Sequence, residues 1–267
     1  MTEQSKTSGW QRFWERGGWW KGLLAAAVYY GLYQLASLAL IPLVRPLVGS
    51  ANSIQTILLA YALPIAIGGV ILVIFALSLG WLKELFARQP IRGGRWMWIA
   101  VAVVLLFNIL RFAATDYGKA GFGFVAAWLL AGLFIGFAEE VLTRGIVVNL
   151  MRKAGHPEIA VALVSSAIFA ALHAGNLFTG QALFPTLVQL VYTFAFGICM
   201  YLSLRITGSL IWPILLHAST DPSIFISTAY PAGGAVSAVA GLGNIVVIVF
   251  GLLAIIFIRG RLGQKAL

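Results

Sequence analysis

Glu139 and Glu140 stand side by side in FGFVAAWLLAGLFIGFAEEVLTRGIVVNL, one of the most apolar stretches of a 267-residue chain that holds only eight acids. Placing one carboxylate at the centre of a bilayer costs roughly 2.5–3.5 kcal/mol on insertion scales, so an adjacent pair marks a functional site by default. Arg144 follows Glu140 by four residues and shares its helical face, giving E-E-x-x-x-R with a built-in counter-charge. Glu140 and Arg144 are expected to pair. Glu139, about 100° around the helix, is then freer to act on water.

Two of the three histidines, His173 and His217, also lie in apolar runs. F-A-A-L-H puts Phe169 and His173 on one helical face, and H-A-S-T-D does the same for His217 and Asp221. Such a set supports two chemistries. Glu139, His173, His217 and Asp221 could hold a zinc ion with an open position for water, or a carboxylate–imidazole pair could activate water without metal. His156, in the basic loop RKAGHPE, reads as a solvated loop residue.

The elements that carry these groups must bring them to one depth. Glu139 lies 13 residues before Arg152, His173 lies 15 after Glu158, and His217 lies 12 after Arg205. At 1.5 Å per residue these become depths of about 20, 22 and 18 Å. Gly132 and Gly136 lie on the stripe of Glu140 and Arg144 as G-x-x-x-G, small residues that let another helix approach the acid-bearing face. Pro213 and Pro222 flank His217 and Asp221 and predict a short, irregular span there, tolerable at membrane depth where backbone lines a wet cavity. Pro64 with Gly68 and Gly69 predicts a kink or weak point in an earlier span.

Composition sets the class. With 61% apolar residues, 10% charged residues and a mean hydropathy of +0.95, the chain lies outside the soluble globular range. The expected fold is all-α, a polytopic membrane bundle of about eight helices over roughly 22–44, 54–79, 97–114, 123–151, 158–173, 184–204, 208–221 and 236–258. Residues 1–21 form an interfacial lead, rich in Trp and basic residues, 22–258 the membrane domain and 259–267 a basic tail. Fourteen of the 18 basic residues, Lys6, Arg12, Arg16, Lys21, Lys83, Arg88, Arg92, Arg95, Arg152, Lys153, Arg205, Arg259, Arg261 and Lys265, fall on the side that holds both termini. Arg45, Arg111 and Lys119 fall on the other. That bias predicts cytoplasmic termini in a cell membrane, and it accounts for the net charge of +10 without a nucleic-acid partner. Cys199, the one cysteine, reads as a small buried hydrophobe.

The ordered set Glu139-Glu140-x-x-x-Arg144, Phe169-x-x-x-His173 and His217-x-x-x-Asp221 resembles the CPBP family of intramembrane proteases, which includes CAAX prenyl endopeptidases and bacteriocin-processing or immunity proteins. The motifs cover about 83 residues. The resemblance implies hydrolysis of a peptide bond in a membrane-associated or prenylated peptide. It implies Glu139 as the base for water, Glu140 and Arg144 in support, and His173 assisting. His217 and residue 221 would bind metal or stabilise the oxyanion. Some relatives carry Asn at the last position, whose amide can donate to an oxyanion; an ionised Asp221 cannot, so it is protonated, binds metal or orients His217. Two other classes fit intramembrane acids and histidines: a proton- or ion-coupled transporter, and a non-catalytic immunity-type binding protein.

Overall fold

The computed structural model describes residues 8–262. Lys6 and Lys265 lie outside the described residues, as do the outermost residues of the 1–21 and 259–267 segments. Ser8 opens α1 (Gly9–Glu15) with a capping box, its hydroxyl accepting from the Gln11 amide while the Gln11 side chain accepts from the Ser8 amide. α1 is packed rather than merely anchored: Trp14 is buried edge-on against Phe75, and Trp10 donates to the Ser78 hydroxyl at 3.1 Å.

Eight long helices follow: α2 (Trp19–Val44), α3 (Ile54–Leu79), α4 (Arg95–Ala113), α5 (Phe122–Lys153), α6 (Glu158–Thr179), α7 (Leu183–Thr207), α8 (Ile211–Ala229) and α9 (Gly234–Phe257). All but α8 are long and apolar enough to cross a membrane, so the protein is a multi-pass helical bundle. α8 has 19 residues and the length to span, but His217, Ser219, Thr220, Asp221, Ser223 and Ser227 make it more polar than the rest. Its polar face packs against α4, α5 and α7, while Trp212, Leu215 and Phe225 stay exposed on the other side, so that polarity is turned away from lipid. Among the described residues there are no strands, only the isolated bridges Thr115–Pro231 and Pro157–Arg261.

Connections gather at two ends. At one, the Glu158 amide donates to the Gly260 carbonyl at 2.9 Å, Arg261 Nε to Gly155 at 2.6 Å and the Gln89 amide to Gly208 at 2.9 Å, while Lys153 pairs with Glu15 at 2.7 Å. This is the basic end, and both described termini lie there, as an even number of spans requires. At the other end the Asp116 amide donates to Tyr230 and the Ala232 amide to Ala114, each at 2.8 Å.

Four expectations need correction. The span read as a short, irregular 208–221 is a continuous helix to Ala229. Pro213 sits in its first turn, where an amide would lack a helical partner anyway, and Pro222 frees only the Ala218 carbonyl. Irregularity falls elsewhere, in i→i+5 segments at Ile57–Ala62, just ahead of Pro64, and at Val141–Val147, just after Glu140. The 12-residue count from Arg205 to His217 is not a helical rise, because α7 ends at a left-handed Gly208 (φ +72°) and α8 begins only at Ile211. Arg111, read as a connection residue, is buried in the last turn of α4.

The last correction concerns the charges used to mark the basic end. Arg152, Glu158 and Arg205 are not solvated but buried together. Arg152 grips Glu158 through Nε at 2.9 Å and Nη2 at 2.6 Å, Arg205 Nη1 reaches the same carboxylate at 3.1 Å, and the Tyr201 hydroxyl donates to it as well. Between this network and the acids of α5 lies fully buried apolar packing that includes Leu142, Ile146, Leu150, Ile198, Met200 and Leu202.

Candidate active site

The site begins with the approach of α8 to α5. A Cβ at position 136 would sit 2.6 Å from the Ile214 carbonyl oxygen and 2.7 Å from the Ala218 amide nitrogen, so the two backbones touch where α5 carries glycine. The Ala218 carbonyl, left without a helical donor by Pro222, lies against Gly132, where a Cβ would approach it to 2.5 Å. The G-x-x-x-G stripe therefore receives the part of α8 around Ala218. One turn beyond Gly136, Glu140 meets His217.

Glu140 Oε1 lies 2.8 Å from His217 Nδ1 and 3.1 Å from Arg144 Nη1, and all three side chains are buried. A carboxylate held by a guanidinium is ionised and accepts, which assigns the Nδ1 proton to the imidazole. Arg144 also donates to the Thr143 hydroxyl at 2.5 Å, and its guanidinium lies over the Phe169 ring at 4.7 Å. Phe169 and Phe196 stand edge-on to the His217 ring, 5.7 and 4.9 Å between centroids. Water is thus excluded from the Glu140 side of the imidazole.

Its other nitrogen is turned to the more open side. His217 Nε2 is 3.6 Å from Glu139 Oε2 and 3.9 Å from Asp221 Oδ2, whose side chains retain 20% and 27% exposure. Glu139 also lines a cavity of about 190 Å³ with His173, Tyr29, Tyr33 and Asn176. His173 donates Nδ1–H to the Phe169 carbonyl at 3.0 Å, which orients the ring and leaves Nε2 for other partners. Glu139, Glu140, Arg144, Phe169, His217 and Asp221 are therefore in mutual contact or near contact, and His173 joins them across the cavity.

For metal, the arrangement is open. Zinc ligands lie about 2.0–2.2 Å from the ion and converge on it. Among the described residues no three His, Cys, Asp or Glu side chains gather closely enough to hold one. Glu139, His173, His217 and Asp221 do not close around one point as placed.

One residue at the site carried little signal. Asn108 of α4 donates Nδ2 to the Ser219 and Thr220 hydroxyls, each at 2.9 Å, and accepts from Ser223 at 3.4 Å. It holds α8 on both sides of Asp221. Its only mark in the sequence is that of a lone amide in the apolar run 97–114.

Comparison with curated proteins and with solved structures found no match. A family model does match: residues 121–222 fit the type II CAAX prenyl endopeptidases described as Rce1-like. Over that stretch, which contains all three motifs and the whole Glu140–His217 contact, the chain is similar to the Rce1-like type II CAAX prenyl endopeptidases, as the motifs alone had suggested.

Proposed function

We propose that the protein is an intramembrane endopeptidase that hydrolyses a peptide bond in a membrane-associated peptide with side-chain-activated water. The observation that carries this reading is the polarised imidazole: His217, fixed by Glu140 through Nδ1, presents Nε2 to Glu139 and Asp221 at the edge of a polar cavity. Glu139 takes a proton from water as the hydroxide attacks the carbonyl carbon. His217, protonated among three carboxylates, donates Nε2–H to the developing oxyanion, and Glu140 with Arg144 fixes the ring and balances its charge. His173, neutral and oriented by the Phe169 carbonyl, relays a proton toward the leaving amine through Nε2. Asp221 holds the imidazole from the side opposite Glu140.

The gathering of basic residues with both described termini at one end supports a cell-membrane orientation with cytoplasmic termini. The test of the activity is incubation of the purified protein with membrane peptides, read by mass spectrometry, beside Glu139→Gln. The parent should release defined fragments, and Glu139→Gln should slow release by about 10²- to 10⁴-fold while remaining folded. Fragments formed equally by both proteins would remove Glu139 from the role of base.

A further inference from the structure

We infer that a cavity at the basic end of the bundle is a binding site for a phosphate group, that of an acidic lipid headgroup or of a soluble phosphate, separate from the proposed hydrolytic site. The cavity, about 300 Å³, is walled by the α3–α4 connection from Glu84 to Pro90 and by the end of α5 from Arg144 to Lys153. Its side-chain acceptors are largely taken. Glu84 Oε1 pairs with Lys153 at 2.9 Å, and Gln89 Oε1 accepts from Arg152. Donors are left over. Arg88 is exposed and has no carboxylate within ion-pair distance among the described residues, and Asn149 Nδ2 finds no acceptor. A wall with spare donors calls for an occupant that accepts.

Charge makes that occupant an anion. Arg152 and Arg205 share the single carboxylate of Glu158, so their network keeps one positive charge, and Arg88 adds another. Lys153 is already matched by Glu15 and Glu84, at 2.7 and 2.9 Å, which places the unmatched charge on the Arg88–Arg152 side of the cavity. A guanidinium fork there fits phosphate oxygens through paired hydrogen bonds. The wall holds its shape without a ligand: the Gln89 amide donates to the Gly208 carbonyl at 2.9 Å and the Gly93 amide to Arg205 at 2.8 Å, tying the connection to the end of α7. Depth selects phosphate among anions. The cavity lies where helices end and basic residues gather, the level of lipid headgroups, and basic pockets between helix ends hold such groups. Leu85, Val148 and Leu262 give it an apolar side as well, which suits a phosphate that carries a tail.

The experiment uses the full chain in phosphatidylcholine nanodiscs, with melting temperature read against added inorganic phosphate and, as reference, sodium chloride at matched ionic strength. A second set of nanodiscs contains phosphatidylglycerol. One of the two phosphate sources should raise the melting temperature beyond chloride, in the manner of a ligand bound to the folded state. Arg88→Gln should weaken that binding at least about tenfold, Arg88→Lys should restore part of it, and Asn149→Ala should weaken it too. Lys83→Gln, an exposed cation at the same end but outside the cavity, should change it little. Stabilisation by inorganic phosphate assigns a soluble anion, and stabilisation by phosphatidylglycerol alone assigns a headgroup; either supports the site. No stabilisation by either source overturns it. Equal losses in Arg88→Gln and Lys83→Gln overturn it also, since the effect is then the general charge of the basic end. If Asn149→Ala fails to fold, the exposed Arg88 variants carry the test. Binding is read without a peptide, so it stands or falls apart from hydrolysis.

Discussion

His217 is hydrogen-bonded to Glu140, not to Glu139, although the two acids are adjacent: Nδ1 lies 2.8 Å from Glu140, and Nε2 lies 3.6 Å from Glu139. One carboxylate fixes the ring and the other faces the cavity. Glu140→Gln should therefore slow hydrolysis less than Glu139→Gln and lower thermal stability more, because the amide still accepts Nδ1–H but leaves Arg144 without its counter-charge. Melting in detergent beside cleavage rates checks both orders. The reverse order in cleavage would make Glu140 the base.

Arg144→Ala should destabilise the protein by about 3–5 kcal/mol, since it strands a fully buried Glu140. Adding Glu140→Ala should recover part of that loss. A double variant whose loss equals the sum of the two single losses would show that the residues are not coupled.

Hydrolysis should survive stringent chelation, and Asp221→Asn should keep a measurable fraction of the parental rate, because its amide can still hold His217 or donate to the oxyanion. Elemental analysis of the purified protein is the companion measurement. Loss of activity on chelation, restored by zinc and needing more zinc in Asp221→Asn, would instead make Glu139, His173, His217 and Asp221 metal ligands.

Glu15 lies outside the membrane spans. Partial burial pushes its carboxyl up, but hydrogen bonds from Lys153 and from the Trp81 indole outweigh that and hold it below its ordinary value of 4.5. Lowered in the folded state, it steadies α1 fully above that ordinary value and loses the effect as pH falls through the lower, folded one. With the carboxylate 44% exposed, the contribution is under about 1 kcal/mol. Limited proteolysis ahead of α2 should accelerate below pH 4.5 in the parent, and Glu15→Gln should show the faster rate at neutral pH as well.

The sequence exposed the charged half of this site and hid the neutral half. Glu139, Glu140, Arg144, His173, His217 and Asp221 stood out because each is costly in an apolar run, so type and setting alone flagged them. Asn108 did not, since one amide in a span is compatible with ordinary packing. The choice of Glu140 by His217 was also hidden, because it depends on how closely α8 settles on Gly132 and Gly136. Arg205 misled the depth count through the turn at Gly208, and the pairing of Glu158 was hidden because its two arginines come from different helices. The eight-helix architecture was legible in the apolar runs; the extra length of α8 was masked by the polar residues it shelters.

At the basic end the cavity of about 300 Å³ runs beside Arg152, Asn149 and Gly145 to Arg144. The cavity beside Glu139 is lined by Asn176 and Thr179 beyond His173, and one beside Arg111 by Ala114 and Pro231, so both belong to the opposite half. Arg144 lines the cavity at the basic end and Glu139 the one at the opposite end, five residues apart on α5, a rise of about 7.5 Å. The buried Glu140–Arg144 pair stands between them, and a fixed guanidinium at that level opposes the passage of cations and protons from one cavity to the other.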